Sequence, residues 1–489
     1  MITINRDRLL DDLYEFASAG SGLLVGKPGV GKTFMGKSLQ NKFLDNNIPA
    51  EFIRIDSLVD ASDQSINEEL KITDNWIDLL KKIKLKDGKK ALLIFDAFDA
   101  ARNEAFRTEI LKQIKKARLE LSEKWNVLVS VRTYDAAKSQ ELIKLFPINE
   151  DLPDFINCRK VFVPELTDDE VKLAVEPQDK LKAFYAESTT AFKEIVRIPF
   201  FLVLANDIVN RSDAAIINEL KALRSETQLL NIYWNLTITG SANHLTKEQA
   251  LISLLDRLIN AKALSCSKAD YLRTLQGDLA GSVEYLLQEN VLHILSVGSE
   301  RISFSHNILF DYAVSRLYLQ SEPGKLLEFI KQDPTRPFFL RPSFVYFFTQ
   351  LWYDDKSAYW KIYTAFADDA QKEIQLFLRL VVTGVVASEF QNIEDLTPLL
   401  KHADENKVLP FIRYLLQSLR FIRKRTLTQD TILLEYLSSN LDLQYVFDYG
   451  FLLDRAIKDE AIAQYSFNSL GVSARNFLGW NLAKRKTEL

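Results

Sequence analysis

The 489 residues carry 66 acidic against 62 basic side chains, a formal net charge of -4, so no whole-chain attraction to nucleic acid is indicated. Hydrophobic residues make up 47% and charged residues 26%, which excludes a disordered chain, and the length is too great for one core, so about two to four domains are expected. Cys158 and Cys266 stand far apart in sequence, which suggests no disulfide framework or zinc site and fits a reducing cytoplasm. The amino-terminal stretch has no apolar signal region. The most apolar run, 376–387, is interrupted by Arg379 and falls short of the roughly 20 apolar residues a bilayer span needs. The expectation is a soluble, cytoplasmic chain without a membrane partner. Only 16 Gly and 13 Pro favour long helices joined by short connections.

In chain order, strands are expected at 22–25, 51–55, 91–95, 126–131 and 160–163, with helical stretches between them such as 104–124. Strands alternating with helices predict a parallel sheet with helices on both faces, over 1–164. After Pro164 the strand pattern stops. Thr167 and Glu170 read as the N-cap and closing residue of a capping box that starts a helical lid over 165–237. Another helix is expected to open at Thr246. Two short strands, 290–296 and 301–305, then form a ribbon after helices, which describes a winged-helix unit over 238–320. The region 321–489 reads as all helical, with no repeat of fixed period.

The run Gly26, Lys27, Pro28, Gly29, Val30, Gly31, Lys32 and Thr33 fills every fixed position of a phosphate-binding loop, with a strand before it and a helix after. The glycines let backbone N–H groups turn inward, Lys32 reaches the β- and γ-phosphates, and the Thr33 hydroxyl ligates Mg2+. ATP or ADP is therefore the expected cofactor. The apolar run 92–95 delivers Asp96 at a strand tip, the position of a carboxylate that holds the metal through water. Asp99, three residues on, is placed to orient an attacking water; alternatively either acid caps the following helix. Arg132 at the end of the next strand suits a γ-phosphate sensor; the alternative is an ion pair with a nearby acid. Residue 97 is Ala, so an adjacent Asp-Glu pair is lacking and slow turnover is expected. The basic run at 420–425 fits a solvated helix face, with a contact to nucleic acid or an acidic partner as the alternative.

The order of these motifs, followed by Pro199 within an apolar helix start and by Phe304-Ser305-His306 with Asp311-Tyr312 after it, resembles the STAND signal-transduction ATPases, the NACHT branch in particular. The resemblance covers about residues 1 to 320. It implies an AAA+-related P-loop domain, a helical lid whose Pro199 packs on adenine, and a winged helix whose His306 touches the β-phosphate of ADP. It further implies that Arg132 is the family's sensor arginine. Read without it, Pro199 could simply start a buried helix and His306 could be a core residue. The function so implied is a nucleotide-gated switch with slow ATP hydrolysis. Its expected partners are further copies of itself on activation and a protein effector or ligand at the C-terminal helices. Bacterial proteins of this look often serve in antiphage defence. Gly22 stands so near the start of the sequence that no N-terminal effector domain is expected. The rival function is a DNA-associated AAA+ ATPase, of the origin-binding or transposition-helper kind, that uses the winged helix on DNA.

Overall fold

The computed structural model describes residues 2–398 apart from 86–87, 149–155, 277–278, 298 and 368–375, and beyond them only positions 415, 418, 429 and 432. The basic run at 420–425 and most of the region expected to be helical after 398 lie outside the described residues. The chain forms two compact units, Met1–Ala313 and Val314–Leu489.

The first unit begins with a five-stranded sheet: β1 (Gly22–Gly26), β2 (Ala50–Arg54), β3 (Ala91–Asp96), β4 (Trp125–Arg132) and β5 (Lys160–Phe162). Its order is β2-β3-β4-β1-β5 and every pairing is parallel. Because side chains alternate along a strand, each strand feeds two cores. Leu23, Val25, Leu93, Phe95, Val127 and Val129 pack with Trp76, Leu80, Ile110 and Ile114 from helices Trp76–Lys82 and Glu104–Glu120. Leu24, Leu92, Ile94 and Leu128 face the other way, onto Leu13, Ala17, Met35, Leu39 and Phe43 of helices Asp7–Ala19 and Lys32–Asp45. Burial on both faces is why these strands read as continuous apolar runs, and it gives the α/β architecture with helices on both faces.

Helices follow from Asp168 to Trp234, and the Thr167–Glu170 capping box is present in both directions. The helix expected to open at Thr246 opens earlier, at His244, after Asn243 in a left-handed conformation. Thr246 instead turns its hydroxyl back to the Asn243 carbonyl, 2.8 Å away, so it acts inside the first turn. The expected two-stranded ribbon is a three-stranded antiparallel sheet: β6 (Ser265–Ser267) pairs with β8 (Ser299–Phe304), which pairs with β7 (Leu292–Val297). With only three residues and no alternating apolar pattern, β6 has no signal of its own; its pairing with β8 makes it a strand.

Within its described residues the second unit is helical, including Pro323–Gln332, Arg341–Asp354, Lys356–Ala367 and Leu376–Glu389. Its core is aromatic: Tyr359 lies edge-on to Phe348 and Trp352, and its hydroxyl donates to the Val382 carbonyl at 2.5 Å. Among the described residues no helix is long and apolar enough to cross a membrane.

One buried amide fixes the sheet to the helix that precedes it. The Asn126 side chain on β4 donates to the carbonyls of Ala17 (2.9 Å) and Ser18 (3.1 Å), satisfying the open end of helix Asp7–Ala19. Asn126→Ala leaves both carbonyls without that donor and should cost about 1–3 kcal/mol, read as a lower denaturation midpoint by the fluorescence of neighbouring Trp125.

Candidate nucleotide site

Register brings the functional side chains to one edge. Gly26 pairs with Arg132 and Arg54 with Asp96, so the tips of β1, β2, β3 and β4 end level and their loops open on the same side of the sheet. Between β1 and helix Lys32–Asp45 the chain turns through Gly29 (φ 75°) and Gly31 (φ 90°), left-handed conformations that a side chain would oppose. Lys32 folds over this loop and donates to the carbonyls of Gly26 and Lys27, each at 3.0 Å. Burial lowers the Lys32 ammonium from its usual range, against the opposing pull of Asp99 and Asp96.

Asp96, 1% exposed, is gripped on both oxygens. The Thr33 hydroxyl donates to one at 2.7 Å, and the Ser130 hydroxyl donates to the other. Ser130 in turn accepts the Ala97 amide at 2.7 Å, which fixes the turn after β3, where Ala97 takes φ 61°. Burial raises the Asp96 carboxyl, and the two hydroxyl donors oppose it. Asp99 meets the Arg132 guanidinium at 2.5 Å, with both side chains largely buried. Burial alone would raise the Asp99 carboxyl, but Arg132, Lys32 and Arg102 outweigh it and hold the group below its usual range. Neither acid caps the following helix, whose first amides bond to the Asn103 side chain instead.

Two later segments close over the loop. Pro199 starts helix Pro199–Arg211 at a position where its missing N–H leaves nothing unsatisfied. The next residue, Phe200, donates its amide to the Gly29 carbonyl at 3.2 Å and stacks its ring on His306, with centroids 4.3 Å apart. A Cβ on Gly29 would stand 3.0–3.1 Å from Ile198, Phe200 and Ile308, so the glycine permits this approach as well as the turn. The Ile308 amide donates to Nδ1 of His306 at 3.1 Å. Nδ1 is thus the acceptor, and in the neutral ring the proton lies on Nε2. Burial, reinforced by Arg132 and Lys32, pushes the His306 imidazolium down to about 3.

These elements enclose a cleft of about 600 Å³, lined by Pro28 to Thr33, Asp99, Arg132, Pro199 and His306 among others. That size suits a small-molecule ligand. Gly26, Lys27 and Asp96 stand outside the lining: Lys27 points away to Glu165 at 2.6 Å, and Asp96 lies behind Thr33 and Ser130. Sequence reasoning did not single out Arg6, which ties the N-terminal segment to Glu170 (2.9 Å) and to the Pro164 carbonyl (3.0 Å). It also passed over Ile2, Ile4, Arg54 and Asp56, which line the cleft, and the positioning role of Ser130. The last was detectable, because a hydroxyl one strand over and level with an acid is a natural partner. The others depend on tertiary contacts that one sequence does not carry.

His306 should therefore stay neutral, as the Nε2–H tautomer, from pH 8 down to about pH 5, read from its imidazole nitrogen shifts in a 15N-labelled sample. Because its folded value lies below the ordinary 6.5, its stabilising contribution is complete above about pH 6.5 and is lost as the pH falls toward 3. A titration midpoint near 6.5 would contradict the buried geometry.

Residues 22–145 match the model of the ATPase family associated with various cellular activities (AAA). No curated protein matches the chain in sequence. Among solved structures, the Walker-type ATPase of Pyrococcus abyssi is 14% identical over 64% of this chain and 96% of its own, with a TM-score of 0.30. A STAND protein with a tetratricopeptide repeat sensor from Pyrococcus horikoshii is 13% identical over 95% of this chain and 71% of its own (TM-score 0.34). The Drosophila ORC bound to DNA is 14% identical over 61% and 91% (TM-score 0.27). At identities and scores this low, no functional argument rests on the solved structures. The family match is confined to the stretch from β1 to just beyond β4, where the chain is similar to an AAA ATPase domain built on a P-loop α/β sheet.

Proposed function

We propose that the first unit is a nucleotide-gated switch of the STAND type, which holds ADP closed and hydrolyses ATP slowly. The observation that carries this reading is the convergence of three distant segments on one cleft. Gly29 of the P-loop bonds to Phe200 at the head of the lid helix, and Phe200 stacks on His306 beyond β8. A ligand bound there touches all three, so its identity can bias how they are arranged. The reading divides the chain into a P-loop domain (1–164), a lid (165–237) and a winged-helix domain (238–320), the last running past the end of this unit at Ala313. The last comprises helices His244–Ala261, Lys268–Thr274 and Leu279–Gln288 with β6 to β8.

In this reading the P-loop amides and Lys32 bind the phosphates, Pro199 covers the base, and the Nε2–H of His306 donates to the β-phosphate. Being neutral, His306 adds a donor without adding to the charge of Lys32 and Arg132. Mg2+ fits the donors present: Thr33 and Asp96 offer a hydroxyl and a carboxylate 2.7 Å apart, the oxygen chemistry of a hard cation. Among the described residues no group of three or more His, Cys, Asp or Glu could hold a metal alone, so the ion would draw further ligands from phosphate and water. Bound there, Mg2+ supplies charge neutralisation at the phosphates. Slow hydrolysis follows from Ala97, which provides no carboxylate beside Asp96, and from Asp99, whose pairing with Arg132 makes it a poor base.

Release of the clamp by a signal at the C-terminal helices, self-assembly and a partner effector complete the proposal, with antiphage defence as its setting. The DNA-associated alternative finds less support. Helix Leu279–Gln288, the member of the winged helix that would enter a groove, has Glu284 and no Lys or Arg, whereas duplex binding requires cations facing phosphate.

The purified protein should carry ADP, detectable by chromatography of the denatured supernatant. Lys32→Ala removes a charge-assisted contact and should weaken ADP binding by roughly 30- to 150-fold, measured by calorimetry on nucleotide-free protein. His306→Ala should leave the P-loop intact yet speed ADP dissociation by about tenfold, followed with a fluorescent ADP. If neither the off-rate nor the oligomer size moves in that variant, His306 does not hold the clamp.

A further inference from the structure

Beside the cleft stands a buried ion pair that nucleotide binding does not need. Both terminal nitrogens of Arg102 donate to Asp311, at 2.7 and 2.9 Å, across 209 positions of sequence. The two side chains are 6% and 2% exposed. Arg102 lies over the Phe310 ring, 5.6 Å from its centroid, and Tyr312 on the other flank of Asp311 donates to Asn231 at 3.0 Å. Arg102 belongs to the same tight turn as Asp99, since its amide bonds to the Ala100 carbonyl at 2.9 Å. Its charge is also one of those that hold the Asp99 carboxyl low. The charges therefore alternate from the cleft outward: Arg132, Asp99, Arg102, Asp311.

We propose that Arg102 and Asp311 are positioning residues that report the γ-phosphate to helix Asn307–Leu317 through this alternating chain. The proposal rests on the reading of the cleft as a nucleotide switch. Arg132 lines the cleft and is held by Asp99 at 2.5 Å. A γ-phosphate competes with Asp99 for the Arg132 guanidinium. Relieved of part of that partner, Asp99 draws on Arg102, which weakens the two-pronged bond to Asp311. A carboxylate as buried as Asp311 is destabilised when its cation is drawn away, so the arrangement in which Asp311 meets water gains population. ADP has no γ-phosphate and leaves Arg132 on Asp99 and Arg102 on Asp311. The chain thus turns one phosphate into a preference between two placements of the helix that carries Asp311, five residues along from His306.

The experiment compares ADP with the non-hydrolysable analogue adenylyl imidodiphosphate on the full chain. For wild type, Arg132→Gln, Asp311→Asn and the double variant, calorimetry gives the ratio of the two dissociation constants. Asp311→Asn should shift that ratio toward the analogue by about tenfold, within the range of ordinary allosteric couplings, whereas Arg132→Gln removes the cation that the γ-phosphate engages and should shift it toward ADP. In the Arg132→Gln background Asp311→Asn should shift the ratio no further, because the γ-phosphate no longer reaches the chain. Additive shifts, or an unchanged ratio in Asp311→Asn, would overturn the relay and leave Arg102–Asp311 as a structural tie. Should Asp311→Asn not fold, Arg102→Lys keeps the charge but loses the two-pronged bond, and it must move the ratio in the same direction by less. Failure of the switch reading itself looks different: wild type would then not bind ADP, or His306→Ala would not hasten its release.

Discussion

The Phe200 amide reaches the Gly29 carbonyl at 3.2 Å, an approach that the missing side chain at residue 29 permits and that brings the lid helix onto the P-loop. The P-loop glycine has a second task besides turning the chain. It brings backbone against backbone, and the lid helix then lies where Pro199 and Phe200 form a wall of the cleft. Phe200 passes the contact on by stacking with His306, so three segments far apart in sequence share one boundary. A Cβ at 29 would press on Ile198, Phe200 and Ile308 at 3.0–3.1 Å, besides opposing the positive φ.

The electrostatics of the cleft follow from burial. Lys32 and Arg132 place two cations where a polyphosphate would lie, and two acids near them are arranged in different ways. Asp96 is held by the hydroxyls of Thr33 and Ser130, whereas Asp99 is held by an arginine, which occupies it. Burial first, and the same two cations after it, keep His306 neutral. Residue 97 is Ala, and Asp99 is engaged by Arg132. In the proposed switch, retention and slow turnover have one origin in the pairing of charges.

Much of the sheet could be read from sequence because its strands are buried on both faces. Burial of that kind forces continuous apolar runs, so 22–25, 91–95 and 126–131 were found to within a residue or two at each end. The Thr167 capping box was legible for a similar reason: its geometry involves only four neighbouring residues. The third strand of the small sheet was not legible. Ser265–Ser267 gains its extended form from the β8 edge, and three polar or small residues carry no periodicity. The start at His244 was missed because a left-handed Asn243 replaced the side-chain cap that Thr246 was expected to supply.

What the sequence determined by itself is the set of features fixed by local geometry: the glycine loop before a helix, the acid at the tip of an apolar strand and the arginine at the tip of the next. Tertiary structure decided which of these residues meet. It turned Asp99 onto Arg132, set Ser130 beneath Asp96, stacked His306 on Phe200 and joined Arg102 to Asp311. The reason is physical. A turn or a strand tip is set by bonds to near neighbours, which leave a pattern in the sequence. An ion pair across 209 positions is set by the packing of helices and sheet, and nothing near either residue records its partner.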